Sequence, residues 1–580
     1  VSDLELLTAD GSRTADAAAI AAGDTPSMLM ARAAGHLART VIELAGHAYG
    51  LRVDLVVGRG DNGGDGWVAA PLLAERGAQV RVIAPDGTDV TTSPAAAAGR
   101  AAWIAGGGRV ISGGVAAALL DGTGRARADV VVDCVLGTGA QGELRGSVRE
   151  AVDAIARARR AGAIVVACDV PTGVSADDGS VVEGAVVADA TVSLGGLKQG
   201  LLLAPGAQHA GSIHLGRLGA RFAVPADPRH PRWRALTLEG VRPWALDPTG
   251  DKRDRGVVLV VAGRSGSGGA AALAGMGALA AGAGLVTLAV PASVRSEVAG
   301  HHPALMVIGL PDDADGALHP DAVHALDAIA GPGLAGFDAV VAGPGLGTGA
   351  GASAVVAHLR AHAARLVLDA DALNVHRDEP ATLGEHVGEL VVTPHARELA
   401  RIAGPHASAH RSVTAAALAA GIGAVVVAKG PATLVAGTDG QGWITPLGGP
   451  ELGTGGSGDV LAGMVGAALA ARPPGGSARV GTPAEEEPLA RAVARAVWWH
   501  AAAGRRAGRT GAGRMDALDL LDALPRILAW LATAAPAAEV GPSGRLRLAD
   551  LLGSDDGPDG AAEVHAAAPA ARPAVGRRGR

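Results

Sequence analysis

The chain reads as an α/β protein with two doubly wound domains. Three observations predict this. The length of 580 residues is too great for one ordinary core. Short β-branched runs alternate with Ala-rich helical stretches in both halves. A polar, Pro-rich stretch over residues 224–255 breaks that periodicity and reads as a linker.

In the first domain, residues 1–223, the expected strands are "RVDLVVG", "QVRVIAP", "DVVVDCVLG", "AIVVACDVP", "ATVSLGG" and "GSIHLGRLG". In the second, residues 240–530, they are "GVVLVVAG", "GLVTLAV", "DAVVAGPGLG", "ARLVLDADAL", "ELVVTPH", "AVVVAKG" and "ATLVAG", closed by two helical stretches, "GDVLAGMVGAALAA" and "LARAVARAVWWHAAAGRRAG". Strands separated by helical segments need crossovers, so each sheet is expected to be mainly parallel, with helices on both faces. Residues 535–580 turn to Ala, Pro, Gly and charge, and are expected to be a disordered tail.

Aromatic content is 2% against 88 glycines, so the cores must be built from Ala, Val and Leu. A net charge of -7 supplies no global basic field, which argues against nucleic-acid and membrane-surface partners. The cysteines, Cys134 and Cys168, are too few for a disulfide framework and fit a reducing cytoplasm. No charged n-region followed by an apolar h-region opens the chain, so no secretory signal is expected. The uncharged run 265–294 is long enough to span a bilayer, but its Gly, Ala and Ser content and Pro291 favour a loop, a small-residue helix and a strand. A homo-oligomer is expected.

In open parallel sheets, ligands bind beyond the carboxyl ends of strands, so polar residues there are the candidates. After "DLVVG" come Asp61, Asn62, Gly63, Gly64 and Asp65, at the start of a helix whose N-terminus favours an anion. Asp133 ends the next such strand, before a flexible cradle from Gly137 to Gly142, and Asp169 and Thr172 end a third. Acids and an amide without a His or Cys cluster point to an oxygen-only cation site plus an acid/base, or to plain helix caps.

The motifs "GRGDNGGDGW", "VVVDCVLGTGAQG", "VACDVPTGV" and "SLGGLKQGLLLAPG" together resemble the NAD(P)HX epimerase family, the YjeF N-terminal domain, over about residues 1–220. The resemblance implies a Rossmann-like fold that interconverts the C6 epimers of hydrated NADH or NADPH with a potassium ion in the pocket. It implies Asn62, Asp133 and Thr172 as potassium ligands. Asp61 to Asp65, then Gly137, Thr138, Gly139, Ala140 and Gln141, and finally Asp169, would face substrate, with Asp169 as general acid/base. Asp61 stands where the family usually has Asn, and Ala31 where an acid is common.

In the second half, "GTGGSGD" runs straight into an apolar helix. Amides from Gly455 to Gly458 would project from its N-terminus, where the dipole stabilises developing phosphoryl charge. Asp459 follows in the first turn; a carboxylate repels phosphate but can take the proton from a hydroxyl that attacks it. This arrangement, with "VVAGPGLG", "LDADALN", "VVTPHARELA" and "VVAKGPATLV", resembles the NAD(P)HX dehydratase branch of the ribokinase-like superfamily.

That resemblance implies nucleotide-driven dehydration of S-NAD(P)HX, with ADP, or ATP, as co-substrate, Mg²⁺ as cofactor, and release of AMP and phosphate when ADP is used. Ala270, Gly345, His395 and Asp459 would meet the substrate. Lys429, Gly430, Pro431, Ala432 and Thr433, with Gly455, Gly456 and Gly458, would meet the nucleotide. Asp369 and Asp371 would help organise Mg²⁺. The alternative is a ribokinase-like kinase of a small alcohol behind a non-catalytic N-terminal module.

Overall fold

The computed structural model describes residues 3–87, 93–139, 142–219, 231–246, 248–331, 334–404, 407–471, 487–511, 513–534 and 545–547. Contacts divide the chain into two compact units, one bounded by Leu7 and Val224, the other by Pro225 and Ala537 with Val1–Leu6 added.

The first unit is built on one sheet. Its order is Ser212–Gly216, Ala190–Leu194, Ile164–Cys168, Val130–Cys134, Arg52–Val57, Gln79–Ala84 and Arg109–Ser112, all parallel. Alternating residues supply two separate cores. Val53, Leu55, Val57, Val130 and Val132 pack under helices Pro26–Ala45 and Asp61–Ala74. Val56, Val131, Val165 and Ala167 face helix Gly146–Arg160. Both sheet faces are therefore covered, as the near-continuous apolar runs require.

The second unit runs Met306–Leu310, Leu285–Pro291, Val257–Val261, Ala339–Ala342, Arg365–Leu368, Glu389–Val392 and Val425–Ala428, all parallel. Thr433–Ala436 then turns antiparallel, followed by Gln441–Thr445, Arg232–Leu236 and Asp3–Leu7. Run 265–294 resolves into helix Gly268–Ala280 and strand Leu285–Pro291. Among the described residues no helix is long and apolar enough to cross a membrane. The small residues of that helix serve close packing. A Cβ on Gly277 would stand 2.4 Å from the Val460 carbonyl oxygen, and one on Gly463 1.8 Å from that of Ala274. Helices Gly268–Ala280 and Ser457–Ala470 thus touch backbone to backbone, which sets where Asp459 stands.

Three sequence expectations need correction. The expected linker, 224–255, contains strand Arg232–Leu236, whose Trp233, Ala235 and Leu236 are buried between arginines; the Pro and Arg density around this short strand hid its alternation. Residues Val1–Leu6, expected in the first domain, group with the second, because Asp3, Leu4 and Glu5 pair with Leu236, Ala235 and Arg234. Within the expected tail, Arg545–Arg547 forms a strand antiparallel to Ser212–Gly216, taking up the ladder of an edge strand; the rest of 535–580 lies outside the described residues.

Candidate active sites

The first site opens at a topological switch point. Strands Arg52–Val57 and Val130–Cys134 are neighbours, and the chain leaves them toward opposite edges of the sheet, so their carboxyl ends flank a crevice. Helix Asp61–Ala74 begins at one end, with Asp61 exposed in its first turn.

Asp133 is fully buried. Its Oδ1 accepts from Thr172 Oγ1 at 2.7 Å and from Val135 N at 3.2 Å, and its Oδ2 from Thr172 N at 2.8 Å. Burial raises its pKa, and these hydrogen bonds pull it back. Asn62 stands beside the same loop: a Cβ on Gly137 would be 3.7 Å from Asn62 Oδ1. Both polar atoms of the Asn62 side chain are buried without a hydrogen-bond partner among the described residues. Each orphaned buried group costs about 1–3 kcal/mol. An unpartnered amide against the loop that follows a buried carboxylate, itself without a basic partner among the described residues, fits oxygen ligation of a cation. Thr138 and Gly139 follow on the loop; Ala140 and Gln141 lie outside the described residues.

Asp169 holds φ at +67°, a conformation that costs about 1–3 kcal/mol in a non-glycine residue. Its Oδ1 accepts from Leu194 N at 3.0 Å and from Lys198 Nζ, which also donates to Leu194 O. Lys198 is 1% exposed, so the pair is shielded from water. Half-buried Asp65 lies alongside, its pKa raised well above the usual range by burial and by the charges of Asp169 and Asp61.

Sequence reasoning missed two members. Lys198 stands in a quoted motif, but its ion pair with Asp169 exists only once strand and loop are folded. Asp16, on helix Ala9–Ala21, also belongs here. Desolvation raises its pKa, Lys198 opposes, and Asp169 and Asp61 add to the rise, which places it in their field. That helix is tied to the site by Ala9 N, which donates to Asp177 Oδ1 at 2.6 Å.

In the second unit, Gly456 adopts φ +88° and caps helix Ser457–Ala470. The turn is closed by Ser457 Oγ, which donates to Leu452 O at 2.7 Å and Thr454 O at 3.1 Å. Behind it, buried His500 Nε2 lies 2.9 Å from Ser457 O; burial drops the His500 pKa to about 4, so the ring is neutral and donates. Asp459 sits in the helix's first turn.

Lys429 Nζ donates to Asp369 Oδ1 at 2.6 Å, and Thr393 Oγ1 to the same oxygen at 2.7 Å. A Cβ on Gly458 would lie 3.5 Å from that ammonium, so Lys429 reaches the glycine turn. Burial alone would lower the Lys429 pKa; Asp369, Glu398 and Asp459 outweigh it. Asp459 has no direct ion pair among the described residues. Burial raises its pKa to about 7, Asp369 adds to this, Lys429 opposes, and Asp371 adds again. With Asp369 engaged by Lys429, Asp371 is the member of the expected Asp369 and Asp371 pair that carries no ion pair among the described residues. Asp371 Oδ2 accepts from Gly347 N at 2.8 Å and Oδ1 from Asn374 Nδ2 at 3.2 Å.

Ala270 and Gly345 come together, a Cβ on Gly345 standing 3.1 Å from that of Ala270. His395 belongs to another cluster. Its Nδ1 accepts from Arg397 N at 3.1 Å and Glu398 N at 3.2 Å, capping helix Ala396–Ala403 and leaving Nε2 protonated, 3.5 Å from Glu398 Oε1. Glu398, buried in the same motif, was not foreseen; burial raises its pKa and the Lys429 charge opposes this. Lys429 to Thr433 form the turn between two antiparallel strands, with Gly430 at φ +152° and Ala432 at +51°. Arg411 braces it, donating to the carbonyl oxygens of Pro431 and of Ala432, the latter at 2.5 Å. Lys198 and Arg411 share one reason for being missed: the ion pair with Asp169 and the bonds to Pro431 and Ala432 join segments about twenty or more residues apart.

Comparison with known proteins matches a different family profile to each half of the chain. The profile described as YjeF-related protein N-terminus matches residues 26–200, and that of NAD(P)H-hydrate dehydratase matches residues 258–526. A bifunctional NAD(P)H-hydrate repair enzyme Nnr from Moorella thermoacetica is 34% identical over 515 residues, 87% of this chain and 92% of that one. The same-named protein of Gloeobacter violaceus is 35% identical over 496 residues, 84% of this chain and 91% of that one. A crystal structure of an ADP/ATP-dependent NAD(P)H-hydrate dehydratase from Bacillus subtilis, co-crystallised with ATP and Mg²⁺, is 27% identical, covering 50% of this chain and 96% of that one at a TM-score of 0.41. With relatives this similar along most of both chains, the protein belongs to the family of bifunctional NAD(P)H-hydrate repair enzymes.

Proposed function

We propose that the chain repairs hydrated NADH and NADPH, the first unit interconverting the R and S epimers and the second dehydrating the S form at the expense of ADP. The observation that carries the second activity is Asp459, titrating near neutrality at the N-terminus of a helix and facing Lys429 across a glycine turn.

Asp459 takes the proton of the C6 hydroxyl as that oxygen attacks the β-phosphorus of ADP, so the O–P bond forms and AMP leaves. Phosphate then departs from C6 with the bonding electrons, a proton leaves C5, and the ring regains its double bond. The balance is S-NADHX and ADP in, NADH, AMP and phosphate out. Amides of Gly455 to Gly458 and the Lys429 ammonium stabilise the charge in transfer, and Lys429 to Thr433 hold the nucleotide. Asp371 would help hold Mg²⁺, which when bound neutralises phosphate charge.

In the first unit, Asp169 takes and returns the C6 hydroxyl proton while the ring passes through an opened or dehydrated form, and Lys198 holds the carboxylate in place. Asp61 to Asp65 and the loop from Gly137 bind the substrate. Asn62, Asp133 and Thr172 would hold potassium, which supplies positive charge beside the buried Asp133 carboxylate. Cytoplasmic location and homo-oligomeric assembly complete the reading.

The test is recovery of NADH absorbance from mixed hydrated epimers with ADP, with ATP and with neither. Full recovery with ADP is expected. Phosphorylation of an added small alcohol with no recovery of NADH would replace the reading with a kinase.

A further inference from the structure

The dehydratase site is acidic: Asp369, Asp371, Glu398 and Asp459 face it, and its lysine is engaged by Asp369. A dinucleotide carrying a pyrophosphate is repelled by such a site unless a cation meets it elsewhere. Strand Val257–Val261 ends close to such a cation, Arg264. Gly263 N donates to Pro344 O at 2.8 Å, tying this turn to the loop from Gly343 to Gly347. A Cβ on Gly347 would lie 3.1 Å from Arg264 Cδ and 3.4 Å from Nε, so the arginine stem runs along that loop, the one whose Gly345 meets Ala270. Arg264 is exposed; its carbonyl oxygen accepts from Ser267 N at 2.8 Å, while its guanidinium makes no hydrogen bond or ion pair with any described residue.

We propose that Arg264 binds the pyrophosphate of the hydrated dinucleotide, an inference that rests on the dehydratase reading above. A guanidinium presents a planar fork of donors suited to two phosphate oxygens at once. ADP also carries a diphosphate, but it is held elsewhere. Val257–Val261 and Val425–Ala428 are four positions apart in the sheet, about 19 Å at ~4.8 Å per strand, so Arg264 is remote from the Lys429 to Thr433 turn. Helix Ser457–Ala470 stands between, touching helix Gly268–Ala280 on one side and Lys429 on the other. The dinucleotide therefore arrives at Asp459 from the Arg264 side and the nucleotide from the hairpin side.

The experiment is steady-state dehydration of S-NADHX and S-NADPHX by wild type, Arg264→Ala and Arg264→Lys, with ADP varied separately. For Arg264→Ala, KM should rise about tenfold or more for both dinucleotides, with kcat and the KM for ADP unchanged, because the contact lies away from the reacting carbon. Arg264→Lys should fall between. A rise confined to S-NADPHX overturns the proposal in favour of the 2′-phosphate, and a rise in the KM for ADP overturns it in favour of the nucleotide. Unchanged constants overturn it outright. Wild type that fails to dehydrate either substrate defeats the functional reading instead, which the same assay reveals first.

Discussion

Both sites place an aspartate at a strand end against a lysine, fully buried at Lys198 and half-buried at Lys429, but they use the lysine differently. In the first unit Lys198 pairs with Asp169, the proposed acid/base itself. In the second, Lys429 pairs with Asp369 and leaves Asp459 without a direct partner, with a pKa near 7. One carboxylate is held by its cation; the other is left to take a proton at neutral pH. The partner of the lysine, rather than the presence of the acid, separates a positioned carboxylate from one poised as a base.

The largest expected effect is on Asp459→Asn, which should cut dehydration by roughly 10³-fold with little change in KM. The same variant tests the cost of the raised pKa. Folding moves the proton affinity from an ordinary 3.8 to about 7, so the folded state holds the proton more tightly and loses stability as pH rises between those values. Asp459→Asn should therefore melt ~2–4 °C above wild type near pH 8 and level with it near pH 4.

Lys429→Met should lower dehydration by roughly 10²-fold or more and move the acid limb of kcat/KM upward from about 7, since Lys429 favours the Asp459 anion. Asp369→Asn should move that limb downward, since Asp369 opposes it. Limbs that stay put in both variants would break the comparison. In the first unit, Asp169→Asn should slow use of the R epimer about 10²-fold while dehydration of the S epimer is untouched. The smallest effect is on Arg411→Ala, which releases the hairpin carbonyls and should raise the KM for ADP about three- to tenfold with the KM for S-NADHX unchanged.

The long parallel strands and the glycine turns were legible because apolar runs and Gly-rich strand ends are local signals. Arg232–Leu236 was not, since arginines and prolines precede and interrupt it and its core residues are Trp233, Ala235 and Leu236. Asp133, Asn62 and Thr172 were picked from strand ends; the fold joins Asp133 and Thr172 by hydrogen bonds and sets Asn62 against the loop at Gly137. Asp16 carried no sequence signal, because a single acid on an Ala-rich helix looks like any solvated residue.

By itself the sequence determined the two doubly wound units, the order of their strands along the chain and the residue types at each strand end. The period of side chains and the backbone freedom of glycine act over a few residues and need no distant partner. Only the tertiary structure decided which lysine meets which aspartate, which edge strands complete the second sheet, and that Arg264 runs along the loop that meets Ala270. Those are contacts between segments tens to hundreds of residues apart, and their electrostatics depend on burial that exists only in the packed fold.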